Sequence, residues 1–553
     1  MYRKRNYLVL QYLLFVSALL AFAASILTSK YIVGDNLGLF SGLSSLFYVS
    51  VAVLVIIVVI DLVNDRITNL TGFCIVLTQV FFASAGFLIG GPGASQPNYV
   101  GSVGYLLASK YTLLNGLTSI IPFSPQYGGW PNGVLLTGMF VSVSGTMGRS
   151  LIAPLLVGWQ IWLSILDTLL ILSIARRHFG RSDIRPYAAA LIFALGGHFV
   201  PNVANDIGIS YTLALVAILL LVGERRATFR LRDTLVMSML FIGIIISNLY
   251  ASFIMLAVVI VHSLWVKRPD YAVLYAIELA AWGALGFPSI YQGLASYFIS
   301  SILSVHTLTG VLESAATIGS KAHHLIILVQ LAYYGLFAGC AFAATFLRIG
   351  GSNVSLRGNI RLAAFVAAIA IATLVSGPAF GTNPIESLER AYFISFVFFV
   401  LMIGSRAKRP ILFSLALLAL VSPVNIVAIY GPVVPTYQSM STQYSGLFLQ
   451  DHSSRGTFAT LVPTFYNKAP AINIFYFTNP TFALRSTYVP LDLKGLTSQL
   501  SQHSPLVYSI GVQTKLNFLS FTNSIANYTY AVNELDAKGA LVYSNPDISI
   551  YYE

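Results

Sequence analysis

The chain has 553 residues and a mass of 60.0 kDa; 56% of its residues are hydrophobic, only 9% are charged, and the mean hydropathy is +0.78. So little charge cannot cover a soluble globular surface, which excludes a water-soluble enzyme. The 31 Lys and Arg against 19 Asp and Glu give a net charge of +12, but the basic residues are dispersed in short connections between apolar runs, a placement that implies no nucleic-acid partner.

A bilayer core of about 30 Å takes roughly 17 to 25 helical residues. Runs of that kind lie at 8–28, 43–63, 69–90, 151–174, 322–347, 362–378 and 411–430. The stretch from Arg185 to Glu224 is broken by Pro201-Asn202-Val203-Ala204-Asn205-Asp206-Ile207-Gly208 and reads as two spans joined by a tight turn. The stretch from Asp233 to Lys267, interrupted at Ser247-Asn248-Leu249-Tyr250-Ala251-Ser252, repeats that shape. Spans near 272–287 and 391–404 bring the expected number to about thirteen.

Charge supports that count. With the amino terminus cytoplasmic, 20 of the basic residues before position 431 fall in inner connections, among them Arg3, Arg66, Arg176, Arg177, Arg232 and Arg361. Five fall outside, Lys30, Lys110, Arg149, Lys321 and Arg390, as the positive-inside rule requires. The expected localisation is a multi-pass cell-membrane protein with a cytoplasmic amino terminus and an extracytoplasmic carboxyl terminus. Arg3-Lys4-Arg5, the apolar run behind it and Ala21-Phe22-Ala23-Ala24 also fit a cleavable signal peptide. Retained anchor and cleaved leader are both open readings. Cys74 and Cys340 each lie in an apolar run, a setting for inert thiols and not for a disulfide framework or a zinc site.

Residues 1–430 are expected to form the membrane domain, with long outer loops at 91–150 and 287–321. Within the first loop, Val103 to Leu114 and Val134 to Val143 have helical spacing and suit either surface helices or re-entrant packing helices. The tail, 431–553, has six basic and six acidic residues and runs that alternate with period two at 472–477, 505–510, 540–543 and 548–551. It is expected to be a small α/β or β-rich extracytoplasmic domain ending in a hairpin.

Pro97-Asn98-Tyr99-Val100-Gly101-Ser102-Val103-Gly104-Tyr105, then Asn115-Gly116, then Tyr127-Gly128-Gly129-Trp130-Pro131, resemble the first large outer loop of archaeal GT-C-type membrane glycosyltransferases. Arg390 in Glu386-Ser387-Leu388-Glu389-Arg390, opening a late span, and the terminal Val542-Tyr543-Ser544-Asn545 hairpin are similar to features of the same family. The resemblance implies an all-α polytopic GT-C-like fold with a small outer domain, transfer of a sugar from a lipid-phosphate donor, and a catalytic Asp in the first outer loop. This sequence departs from that pattern. Residues 91–150 contain no Asp or Glu, and Asn98 stands where the acid is expected; an amide neither takes a proton at neutral pH nor binds a hard cation as a carboxylate does.

Asp35, in Val33-Gly34-Asp35-Asn36, is the candidate replacement base, against the alternative of a solvated turn. Asp206 fits a turn or helix cap. Arg390, Lys321, His323 and His324 would hold a lipid-linked phosphate at headgroup depth, with Glu386 and Glu389 as orienting acids; the alternatives are a local ion pair and interfacial anchoring. Asp167 and Glu278 stand inside spans, where an acid is costly. Interhelical hydrogen bonding is one role for both, and for Asp167, toward the cytoplasmic end, a neighbouring Arg is a possible partner. Asn527-Tyr528-Thr529 is an outer glycosylation sequon. The eight histidines show no axial-ligand pairing or haem-attachment pattern, and no metal site, Fe–S motif or P-loop is present. The cofactor is unknown, and a divalent metal enters only with the enzyme reading.

Three functions follow as expectations. One is a GT-C-like transferase using a polyprenyl-phosphate-linked sugar at the outer face. Another is a catalytically inactive relative, an integral subunit of a membrane or cell-surface complex with protein partners as well as membrane lipids. The third is a transporter coupled through Glu278, against which the lack of internal repeats counts.

Overall fold

The computed structural model describes residues 2–29, 42–88, 132–143, 152–180, 183–196, 206–223, 231–267, 269–286, 334–343, 356–379 and 384–404, five strands between 457 and 552, and a few single positions. The helices are α1 (Tyr2–Thr28), α2 (Ser45–Val63), α3 (Asn69–Leu88), α4 (Asn132–Val143), α5 (Ile152–Phe179), α6 (Arg185–Gly196), α7 (Asp206–Gly223), α8 (Leu231–Ile245), α9 (Leu249–Val266), α10 (Asp270–Gly286), α11 (Leu356–Ala379) and α12 (Pro384–Gly404). A shorter apolar helix, Tyr334–Ala343, lies between α10 and α11 in sequence.

The burial pattern identifies the solvent. In α6, Pro186 and every residue from Ala188 to Gly196 are buried, and in α12 Ile394 and Phe396 through Ile403 are buried. A helix that is apolar and covered all round lies at the centre of a bundle. On α1, by contrast, Leu13, Leu20 and Leu27 are 64%, 66% and 71% exposed. A face of that composition is stable against hydrocarbon and not against water. The molecule is a membrane protein.

Since lipid tails are as apolar as the core, close packing and polar contacts hold the helices together. A Cβ on Gly404 would lie 3.2 Å from the Phe179 ring, and one on Gly243 would lie 3.1 Å from Leu213 Cδ1. These glycines let α12 approach α5, and α8 approach α7. Aromatic pairs fill the wider gaps: Phe22 stacks on Phe81 with centroids 3.7 Å apart, and Tyr334 stacks on Tyr392 at 4.1 Å.

Both fused stretches resolve into separate helices, α6 with α7 and α8 with α9. The second break is shorter than the sequence suggests. Asn248 caps α9 by accepting from Ala251 N at 3.1 Å, so Leu249 to Ser252 are already helical. The helix expected at Val134 to Val143 is α4. The one expected at Val103 to Leu114 and the span at 411–430 lie outside the described residues, Thr112 apart.

Five strands form one mixed sheet in the order β2-β1-β3-β5-β4: β1 (Thr457–Leu461), β2 (Thr487–Leu491), β3 (Val507–Gly511), β4 (Ala540–Ser544) and β5 (Ile548–Tyr552). The expected hairpin is the antiparallel pair β4–β5, with a register shift between Leu541 and Tyr543. β1 pairs in parallel with both β2 and β3, a pattern that needs crossover connections. Pro490 is tolerated because β2 is an edge strand. β1 and β2 are not among the alternating runs of the sequence. The strand expected at 472–477 lies outside the described residues.

Candidate functional site

One end of the bundle is basic. Arg177 Nη1 donates to Leu219 O at 2.8 Å, and Arg176 Nη2 donates to Tyr187 Oη at 2.6 Å while its guanidinium lies 5.1 Å from that ring's centroid. Arg185 pairs with Asp183 at 2.5 Å. Partial burial raises the Asp183 carboxyl, but the hydrogen bonds and charge of Arg185 and the backbone bond from Ile184 outweigh it and hold the group below its ordinary value. Gly404 reaches this layer through its approach to Phe179 and Ala189.

Distances along the helices locate the opposite end. At 1.5 Å per residue, Ser247 lies about 22 Å from Arg232 along α8, Asp206 about 20 Å from Leu219 along α7, and Arg390 about 21 Å from Gly404 along α12. The 28 residues of α5 extend about 42 Å.

The α8–α9 turn is polar and covered. Ser247 and Asn248 are buried. Asn132, opening α4, donates from Nδ2 to Ser247 Oγ at 2.6 Å, and Ser247 Oγ donates in turn to Gly243 O at 2.5 Å. Ser252 Oγ donates to Asn248 O at 2.8 Å, and Tyr275 Oη on α10 donates to Ser252 O at 2.9 Å. Thus α4, from the acid-free loop, seats its first residue on the α8–α9 turn and packs against α7. Nothing in the sequence pairs Asn132 with Ser247, 115 residues away.

Of the sequence-derived site residues, Glu386, Glu389 and Arg390 lie in the first two turns of α12, on one helical face by their spacing of three and four. Their side chains are outside the described residues, as are Asp35, Lys321, His323, His324 and Asn527 altogether.

The intramembrane acids are described. Asp167, on α5 and 1% exposed, accepts from Thr212 Oγ1 on α7 at 2.7 Å. Its partner is thus a hydroxyl and not the neighbouring Arg that its position suggested, and its Oδ2 meets no donor among the described residues. Glu278, on α10 and half-buried, accepts from Ser238 Oγ on α8.

Sequence reasoning passed over a third acid. Asp61, fully buried near the end of α2, accepts from Tyr7 Oη at 2.7 Å, from Gln11 Nε2 and from Thr71 Oγ1 at 2.5 Å. The available signal was a single acid closing an otherwise apolar run. Arg361, counted in the sequence as a loop cation, lies within α11 and donates to His262 Nδ1 on α9 at 2.8 Å. Among the described residues no group of three or more His, Cys, Asp and Glu comes together as a metal site would require.

No family model matches the sequence, and no curated protein is similar to it. In structure the chain is similar to the crystal structure of ArnT from Cupriavidus metallidurans bound to undecaprenyl phosphate, with a TM-score of 0.43 and 11% identity over 83% of this chain and 94% of that one.

Proposed function

We propose that the protein is a GT-C-like glycosyltransferase that moves a sugar from a lipid-phosphate donor to an acceptor at the outer membrane face. The reading takes 1–430 as the membrane domain and 431–553 as the extracytoplasmic domain. The observation that carries it is the position of Arg390, whose backbone lies about 21 Å from the basic end of α12. A cation inside the hydrocarbon thickness needs an anion or a water-filled recess, and a lipid-linked phosphate brings its charge to that depth.

In this reading Arg390, with Lys321, His323 and His324, takes the phosphate oxygens, and Glu386 and Glu389 orient the guanidinium. Asp35 accepts the proton of the acceptor hydroxyl as its oxygen bonds to the anomeric carbon. The sugar–phosphate C–O bond breaks, and the lipid phosphate departs with the electron pair, its charge met by the cations. The donor's polyprenyl chain would lie against exposed apolar helix faces.

The test is transfer from a polyprenyl-phosphate sugar by the purified chain in nanodiscs. Loss of turnover in both Arg390→Ala and Asp35→Ala is expected, and turnover unchanged in both removes the assignment. The absence of any Asp or Glu from 91–150 favours a second reading, an inactive relative serving as a subunit of a membrane complex. Stable co-purification with partners and no transfer from any lipid-phosphate sugar would select it.

A further inference from the structure

The basic end of the bundle contains a cation whose charge nothing described offsets. Arg361 lies in the second turn of α11 with its guanidinium against α9. One terminal nitrogen donates to His262 Nδ1 at 2.8 Å, and the group lies 6.0 Å from the Trp265 ring centroid and 5.6 Å from that of Phe365. Its Nε is buried and meets no acceptor among the described residues. Among those residues no carboxylate pairs with Arg361. Because arginine only donates, His262 Nδ1 is the lone-pair nitrogen and the imidazole is neutral, with its proton on Nε2. His262 therefore orients the guanidinium without reducing its charge.

A cation drawn partly out of water is retained where an anion completes it. The flank of this seam indicates where that anion comes from. Leu264 is 74% exposed, and Trp265 and Ile360 are each 42% exposed. Lys267, exposed and two residues beyond Trp265, closes α9 in the left-handed conformation at φ 56°. A soluble anion gains nothing from the apolar flank. A phospholipid uses all of it: phosphodiester oxygens for the guanidinium, a second cation at the water boundary, an interfacial Trp, and apolar side chains for the acyl chains.

We propose that the α9–α11 seam at the basic end of the bundle binds the headgroup of an anionic phospholipid through Arg361, with His262 as its positioning residue. The leaflet is the one on the basic side, which the charge distribution assigns to the cytoplasm. The site is separate from the proposed transfer chemistry and does not depend on it.

The test uses the full chain in detergent, with phosphatidylglycerol, phosphatidylcholine or inorganic phosphate added, read by native mass spectrometry and thermal unfolding. Phosphatidylglycerol is expected to remain bound and raise the Tm, and phosphatidylcholine and phosphate to do neither. Arg361→Gln is expected to weaken phosphatidylglycerol retention at least tenfold. Arg361→Lys and His262→Leu should fall between, since lysine lacks the planar fork and leucine leaves the fork unoriented. Arg232→Gln, an exposed cation of the same end, should retain the lipid. Equal retention by Arg361→Gln, equal retention of phosphatidylcholine, or stabilisation by phosphate alone would each overturn the proposal. The lipid comparison on the unmodified chain decides the matter even if a variant fails to fold.

Discussion

Tyr7 on α1 donates its phenolic proton to Asp61 on α2 at 2.7 Å, joining two helices whose contacting residues are 54 positions apart. Gln11 and Thr71 complete the set on the same carboxylate, and Arg66 lies 5.4 Å from the Tyr7 ring centroid. Three donors around one buried acceptor make the arrangement sensitive to loss of the acid. Asp61→Ala leaves Tyr7, Gln11 and Thr71 without their acceptor and is expected to destabilise the bundle by about 3 kcal/mol. Tyr7→Phe removes one donor of three and should cost about 1 kcal/mol. Unfolding of the purified variants checks both, and equal stability of Asp61→Ala and the parent would show that the cluster is solvated.

The same contacts bear on whether α1 is a leader. Cleavage after Ala24 would remove Tyr7 and Gln11 from Asp61 and Phe22 from its stack on Phe81. The expected outcome is a purified chain whose intact mass includes α1. A mass beginning at Ser25 would contradict it.

Apolar runs make the helices legible because each leaves a long apolar signature in the sequence. Helix ends were less legible. Asn248 shows why: it reads as part of an interruption that runs to Ser252, but its side chain caps α9, and capping depends on backbone angles that composition does not encode. Parallel pairing was illegible for a related reason. β4 and β5 are neighbours in sequence and announce a hairpin, whereas β1 finds β2 and β3 only through crossovers. Arg361 and Asp61 show the same limit at the level of sites. One reads as a loop cation and the other as part of a span, and only packing reveals His262 beside the first and three donors around the second.

The Asp167–Thr212 bond joins α5 to α7 in the bundle interior. Interhelical hydrogen bonds of this kind contribute about 0.6 kcal/mol on average and up to about 1.7. Thr212→Val is expected to cost about 1 kcal/mol, and the double variant with Asp167→Asn should be less destabilised than the sum of the singles. Additive losses would mean that the two side chains do not act on each other.

Asp183 gives a pH dependence of known sign. Its folded value is held below the unfolded one, so its contribution is fully present above the unfolded value near 3.9 and is lost as pH falls through the folded value. The pair is partly open to solvent and is worth no more than about 1 kcal/mol. Asp183→Asn should therefore be slightly less stable than the parent at pH 7, with the difference vanishing in acid. A difference that grew as the pH fell would reverse the assignment.

Sidedness follows from charge alone and can be tested at two positions. Arg232 is exposed at the start of α8, in the basic layer, and the positive-inside rule assigns that layer to the cytoplasm. Asn527 belongs to the tail, expected on the far side. With Cys74 and Cys340 replaced by Ala, Asn527→Cys should react with an impermeant maleimide in intact cells, and Arg232→Cys only after permeabilisation. The sequon at Asn527 adds a second readout, since a glycosylating host should attach an enzymatically removable glycan there. Reaction of Arg232→Cys in intact cells, with Asn527 unmodified, would invert the topology and move Arg390 to the cytoplasmic half, taking the proposed transfer site with it.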